Sequence, residues 1–319
     1  MRCALLTYAD PSFSYERMPR GTFAYLYFLQ RFGHEVRHWN RPAILRPRRL
    51  LSELRAWKPD VILAQHAGAV LAAWWRWMGV IQTPVVHAWD DYYAEQSRLP
   101  YALARPIEWF SVVWADRVTS VSLWNVHQAW RWGVPAIHIP HGVHGEIRET
   151  RLRLEAPGLK IVYLGDLSWY KGMRRLIEAM RRCPEATLFL VGDENPELRR
   201  RAPSNVRFTG RVPPEEVPAV LRQADVLVNP ADQDSNFKLQ EYLRAGRPIL
   251  GVNGRMNMAF THGQDAWLVD DLAQGIHELG RNPRLRHQLT EGARHRPVLT
   301  WEHCVRRLER VLLEAIRRH

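Results

Sequence analysis

Short apolar runs rich in β-branched residues alternate along this chain with longer stretches whose apolar positions recur at helical spacing. In the first half, ALLTYA, DVILAQ, TPVVHAW, RVTSVS and AIHIP read as buried strands. Residues 21–32 have helical length and stop at Gly33, a capping glycine, and HEVRHW follows as a further strand. In the second half, KIVYLG, ATLFLVG, VRFTG, VLVNP and PILGVN repeat the design. Strands alternating with helices predict parallel sheets, so the fold class is α/β with two successive Rossmann-like domains facing a central cleft. The polar stretch near residues 143–158, with glycines early and Pro-Gly late, is the expected linker. It gives domains of 1–150 and 151–301. No repeat or low-complexity tract interrupts the pattern.

Composition narrows this picture. A chain of 319 residues suits two domains of about 150 residues each. No apolar run approaches the ~20 residues of a membrane span, and MRCALLTYAD makes a poor signal peptide. Cys3, Cys183 and Cys304 lie far apart and form no CxxC pair, which excludes a disulfide framework or a structural zinc site and points to the cytoplasm. A net charge of +12 invites a nucleic-acid partner, but the charge is spread over both halves and no nucleic-acid-reading motif accompanies it. An enzyme handling anionic donors, or one resting on an anionic membrane, fits the charge at least as well. Of 45 cationic residues only Lys58, Lys160, Lys171 and Lys238 are lysines, so the chain keeps Lys where a compact point charge is wanted.

Two segments carry candidate chemistry. DQDSNFKLQEYLRAGRP, residues 232–248, runs from a strand through a polar loop into a short helix bearing Glu241 and capped by Gly246. A carboxylate there can accept both hydroxyls of a ribose, and the helix N-terminus beside it offers N–H groups to phosphate. In KIVYLGDLSWYKGMRRLIEAM a strand ends at Gly165 and Lys171-Gly172 opens an amphipathic helix with Leu176, Ile177 and Met180 inward. A lysine at that junction can neutralise a diphosphate leaving group. A surface Glu and a solvated Lys in ordinary βα units are the plainer alternatives. HAWDDYY, residues 87–93, follows a strand in the first half. Its adjacent carboxylates are poorly placed to flank a glycosidic bond as a hydrolase pair. The histidines form no HExxH or other compact ligand set, and neither Gly-x-Ser-x-Gly nor a phosphate-binding GxxxxGK[ST] loop is present.

The order of these strings resembles the family 4 retaining glycosyltransferases of GT-B type (glycosyl transferases group 1). That signature has a Lys and a Glu ahead of a Tyr or Ala-Met, a small residue, Gly, one residue and Pro, and Lys238, Glu241, Gly246 and Pro248 match it in order. Lys171-Gly172 corresponds to the family's Gly-Arg-Leu-x-x-x-Lys-Gly stretch. RFGHEV, ADRVTSVS, GVPAIHIPHGVHG, FLVGD, NVRFTGRV, QADVLVNPA, THGQDAWLVD and TWEHCVRRLERVLLEAI follow the family's course over nearly the whole chain. Two departures stand out. Gln233 occupies the place of an earlier glutamate that usually touches the donor sugar, and Asp166 replaces an arginine, so another cation, Lys238, Arg247 or Arg211, must compensate.

The resemblance implies transfer of a hexose from a UDP- or GDP-linked donor to an unidentified hydroxyl acceptor, with retention of configuration and without metal or further cofactor. It implies donor contacts from Gly21, Thr22, Gly165, Lys171, Arg211, Gln233, Phe237, Lys238, Leu239 and Glu241. His87, Lys171 and Glu241 fall to the reaction centre, Asp90 or Asp91 to the acceptor, and the helix of residues 302–319 to packing against the first domain. A same-fold nucleotide-sugar epimerase and a non-catalytic binding subunit are the alternatives. Residues 46–58 form an expected helix with Leu50, Leu54 and Trp57 among arginines. An ordinary soluble helix accounts best for it, and peripheral docking on an anionic membrane is the other reading.

Overall fold

Several central strands show no alternation of buried and exposed residues. Every position of Val61–Ala64, Val85–Ala88, Ala186–Val191, Val226–Asn229 and Ile249–Val252 is buried, as a parallel sheet covered on both faces requires. A computed structural model describes residues 1–8, 15, 21–90, 93–96 and 99–319. Met1–Gly142 with Leu299–His319 forms one unit and Val143–Val298 the other.

The first unit runs β1 (Arg2–Leu6), α1 (Gly21–Arg31), β2 (Glu35–Trp39), α2 (Arg41–Ile44), α3 (Pro47–Trp57), β3 (Val61–Ala64), α4 (His66–Trp77), β4 (Val85–Ala88), α5 (Tyr93–Gln96), α6 (Tyr101–Val113), β5 (Arg117–Ser120), α7 (Leu123–Arg131) and β6 (Ala136–His138). Its strands pair in parallel in the order β2-β1-β3-β4-β5-β6. The second unit runs β7 (Leu159–Leu164), α8 (Met173–Arg181), β8 (Ala186–Val191), α9 (Pro196–Arg201), β9 (Val206–Gly210), α10 (Val217–Leu221), β10 (Val226–Asn229), α11 (Phe237–Ala245), β11 (Ile249–Val252), α12 (Met256–Ala259), β12 (Trp267–Val269), α13 (Leu272–Arg281) and α14 (Pro283–Arg294). Its order is β12-β11-β10-β7-β8-β9, again parallel. The final helix, α15 (Trp301–Arg317), belongs to the first unit, where Trp301, Cys304, Val305, Leu308 and Leu312 enter the core beside α1 and the sheet.

Each strand named from the sequence is present. β12, at the sheet edge, is an addition of three residues. Residues 143–158 are not a solvated linker throughout, because Leu154 is buried in the second unit's core with Leu152 packed against it. α3 turns Leu50, Leu54 and Trp57 inward and leaves its arginines in solvent, so its own apolar face is not available to a bilayer. Among the described residues no helix is long and apolar enough to cross a membrane.

Candidate functional site

The strand order of the second unit reverses direction between β7 and β10, the place where open parallel sheets bind ligands. The loops leaving these two strands carry the residues singled out from the sequence. After β7, Gly165 leads past Asp166 to a single 3-10 turn, Trp169–Lys171, and then to Gly172, which caps α8 at φ 82°. A Cβ at Gly172 would lie 2.4 Å from the Pro230 carbonyl oxygen, so glycine is what allows the start of α8 to meet the loop after β10. In that second loop the buried Asn229 amide donates to the carbonyls of Ala231 at 3.1 Å and Gln233 at 3.4 Å, curling residues 230–236 ahead of α11. Tyr242 ties the strands together, its hydroxyl donating to Val228 O and accepting from Leu164 N, both at 3.0 Å.

Two lysines, an aspartate and a glutamine converge here. Lys171 Nζ donates to Gln233 Oε1 at 3.2 Å. Lys238 is 6% exposed, and its Nζ lies 4.1 Å from the centroid of the Tyr163 ring with no hydrogen-bond partner among the described residues. Burial pushes its pKa well below the ordinary lysine value, the like charge of Lys171 adds to this, and Asp166 opposes it. The Asp166 carboxylate accepts from Tyr170 Oη at 2.7 Å and Ser168 N at 2.9 Å. Burial alone would raise its pKa, but these hydrogen bonds and the Lys171 charge hold it below the usual value. Asp166 is thus fastened to its own loop.

Glu241 stands three residues beyond Lys238, on the same face of α11. Its side chain is 16% exposed, and Oε2, 3.9 Å from Arg244 Nη1, is buried without a hydrogen-bond partner among the described residues. Burial raises its pKa to about 7, against the pull of the Arg244 charge and the His144 backbone amide. Arg244 also donates to the carbonyls of His144 and Glu146, holding residues 144–146 against α11. α11 starts without a side-chain cap, because Asn236 gives its amide to Asn229 Oδ1 instead. Phe237 is partly exposed at this end, whereas the Leu239 side chain is 1% exposed and belongs to the core. The Leu239 side chain is therefore closed to a ligand, and its N–H already donates to the Asn236 carbonyl at 3.0 Å. Of the three cations considered as substitutes for the missing arginine, Lys238 is the one buried beside Lys171 and Asp166, and the other two are engaged. Arg211 is paired with Asp193 at 2.6 Å, and Arg247 donates to the Arg222 carbonyl.

The first unit has its own reversal, between β1 and β3. Thr22, at the start of α1, donates to Gln65 Oε1 at 2.6 Å, and Gln65 Nε2 donates to Asp90 Oδ2 at 2.5 Å. Gly21 lies beside the same carboxylate, which a Cβ there would meet at 3.4 Å. His66 follows with φ 53°, a left-handed backbone for a non-glycine residue at a strand end. Asp91 lies outside the described residues. His87 is fully buried: its Nδ1–H donates to the Ser111 carbonyl at 3.2 Å, and Nε2 has no partner among the described residues. Burial holds its pKa down at about 3. The ring therefore stays neutral and out of contact with solvent.

Sequence reasoning passed over Gln65, Asn229 and Glu108. Glu108 is 2% exposed and accepts from Trp89 Nε1 at 3.0 Å and Tyr93 N at 2.7 Å, bracing the loop that carries Asp90. Burial raises its pKa to about 7, with the Trp89 hydrogen bond opposing. Sequence reasoning also missed a compact trio, Cys183, Glu185 and His277, whose potential ligand atoms lie within 4.8 Å of one another. It sits just ahead of β8, at the end of the sheet opposite the candidate loops, with His277 Nδ1 2.8 Å from Glu185 Oε1.

Two Rossmann-type units in one chain, each gathering polar residues where its strand order reverses, define the GT-B class of fold. Solved structures share it. Sucrose-phosphate synthase from Thermosynechococcus elongatus matches with a TM-score of 0.80 at 18% identity over 100% of both chains. The Anabaena protein HepE, solved in complex with UDP, matches at 0.71 and 15% over 98% of this chain and 100% of that one. A glycosyltransferase from Rickettsia africae matches at 0.72 and 13%, covering 98% of each. No curated protein matches the chain. Family models do: Glycosyltransferase Family 4 matches residues 2–155 and Glycosyl transferases group 1 matches residues 158–282. The two follow one another along the sequence, and the chain belongs to the family 4, group 1 glycosyltransferases.

Proposed function

We propose that this chain transfers a hexose from a UDP- or GDP-linked donor to an acceptor hydroxyl, with the nucleotide diphosphate held in the second unit by α11 and the loop after β7. The observation that carries this reading is the pair Lys238 and Glu241. Both are ionisable, both lie on one helix face with little exposure, and each keeps unused hydrogen-bonding capacity among the described residues: the Lys238 ammonium rests only on the Tyr163 ring, and Glu241 Oε2 accepts no hydrogen bond. Buried groups of this kind destabilise an empty protein. A nucleotide diphosphate supplies what each lacks: phosphate oxygens for the ammonium, and ribose hydroxyls that donate to the carboxylate.

In this reading Lys171 and Lys238 face the negative charge that grows on the diphosphate as the glycosidic bond breaks, and the uncapped start of α11 adds its N–H groups. Gln233, which accepts from Lys171, sets that lysine's position. The acceptor lies at the first unit's Thr22–Gln65–Asp90 relay, with Asp90 orienting its hydroxyl. His87 braces β4 against α6 through Ser111. The family resemblance favours retention, the departing phosphate taking the proton of the incoming hydroxyl. Two lysines and a helix N-terminus supply the positive charge that a metal ion would otherwise provide. The HepE complex with UDP supports a uridine donor.

The test is a panel of UDP- and GDP-hexoses in the presence of EDTA. A ligand that binds the native state raises its melting temperature by mass action, and the matching donor is expected to do so and to turn over with EDTA present. Activity abolished by EDTA and restored by Mg²⁺ or Mn²⁺ would refute the metal-free reading. Epimerised sugar released without an acceptor product would replace transfer with epimerisation.

A further inference from the structure

α4 is apolar on both faces and α6 turns an apolar face outward, which is unusual for helices at a surface. α4 buries Gly68, Ala69, Ala72, Ala73 and Trp75 against the first unit. Its outer face carries Val70, Leu71, Trp74 and Trp77, the two tryptophans 48% and 50% exposed. α6 buries Ala104, Glu108, Ser111 and Val112, and turns Leu103, Ile107 and Trp109 outward at 60%, 43% and 42% exposure. The two helices pack on each other, and their charged side chains are engaged elsewhere. Arg76 pairs with Asp116, and Arg105 lies over the Trp132 ring. Between them, and beside the exposed Leu45 after α2, runs an open groove of about 570 Å³ lined by Val70, Leu71, Trp74, Ile107 and Phe110. Among the described residues no charged side chain lines it.

We propose that this α4/α6 face docks on an anionic lipid bilayer, with hydrocarbon chains entering the groove. Contiguous exposed apolar surface on this scale marks an interaction site. Three features select a bilayer over a second copy of the chain. The rim is rich in indoles, which favour the boundary between headgroups and hydrocarbon. Leu45 is followed at once by the exposed Arg46, Arg48 and Arg49, cations that attract anionic headgroups. In a symmetric pair those same arginines would be brought together, where like charges repel. The groove also begins at Tyr8, whose ring stacks on His66 beside the proposed acceptor relay. If the transfer reading holds, the acceptor is then a membrane lipid whose chain occupies the groove.

The experiment is sedimentation of the full chain with vesicles of phosphatidylcholine, with and without phosphatidylglycerol. Binding is expected to the anionic vesicles, to weaken with salt, and to fall roughly tenfold or more in the Leu103→Glu/Ile107→Glu variant. Both positions are solvent-facing, so the variant keeps its melting temperature and its UDP binding. Quenching of tryptophan fluorescence by brominated lipids checks insertion in the unaltered chain. Failure to sediment with anionic vesicles, or undiminished binding by the double variant, would overturn the proposal. So would a dimer that the double variant dissociates, together with absence of vesicle binding. UDP calorimetry is independent of all these outcomes, so docking and donor binding fail or stand separately.

Discussion

Glu241 shows how a single residue can oppose stability in the empty protein. Its pKa is raised from 4.5 to about 7 by burial, so between those values the native state keeps a proton that the unfolded chain has lost. Stability therefore falls as pH rises through that window, by up to about 3 kcal/mol, and the penalty is complete above pH 7. Glu241→Gln removes it. The variant is expected to melt at or above the wild-type temperature at pH 8, with the difference shrinking toward pH 5, while its affinity for UDP drops by roughly tenfold or more. Thermal unfolding at the two pH values, paired with calorimetry, measures both; a variant that melts lower at pH 8 and binds UDP normally would make Glu241 a structural residue. In the wild type the same ionisation predicts UDP affinity that rises with pH across neutrality, because ribose hydroxyls need the carboxylate as acceptor. Lys171 is expected to act differently. Lys171→Ala should lower kcat roughly 100-fold with a smaller change in donor affinity, since it faces charge that grows in the transition state. Lys171→Arg should recover only part, its planar fork being a poor substitute for a point charge beside Gln233. A lower melting temperature with unchanged kcat would shift the role to Lys238.

Among the elements, the start of α8 depends on one contact. Gly172→Ala places a Cβ against the Pro230 carbonyl and a side chain at φ 82°, so a loss of about 2 kcal/mol or more is expected in urea unfolding. The displaced turn would move Lys171 away from Gln233 and lower kcat as well. Stability and rate both unchanged would mean that the loops after β7 and β10 tolerate separation. Elements of this sheet were legible in the sequence wherever burial on both faces produced nearly continuous apolar runs, as in ATLFLV for β8. β12 was not, because Trp267–Val269 is too short to stand out. α4 escaped because a helix apolar on both faces shows little contrast between them, and α6 because Glu108 and Ser111 on its buried face invert the usual contrast with an apolar outer face. Lys238 and Glu241 were legible by their order ahead of Gly246 and Pro248. Gln65 and Asn229 were not, since each acts by holding a loop through contacts invisible in local spacing, Gln65 reaching Asp90 25 residues on. The choice among Arg211, Arg247 and Lys238 likewise turned on partners such as Asp193, which only the folded chain brings to Arg211.

At the scale of the whole molecule, α15 leaves the second unit's sequence to complete the first unit's core with Trp301, Val305, Leu308 and Leu312. Removing residues 299–319 is expected to unfold the first unit and leave the second, which carries the proposed donor site, able to bind UDP. Hydrogen exchange would detect this as lost protection throughout β1–β6 and their helices with β7–β12 still protected; loss across both units would contradict it. The central claim, that this glycosyltransferase-family chain holds a nucleotide diphosphate at the β7/β10 reversal of its second unit, is tested most directly by calorimetric titration of UDP and GDP into the wild type and into Lys238→Met. One of the two nucleotides is expected to bind the wild type at one site per chain, and at least tenfold more weakly to the variant, because a buried ammonium on phosphate contributes about 1.5–3 kcal/mol per hydrogen bond. Neither nucleotide binding the wild type, or Lys238→Met binding as the wild type does, would contradict it.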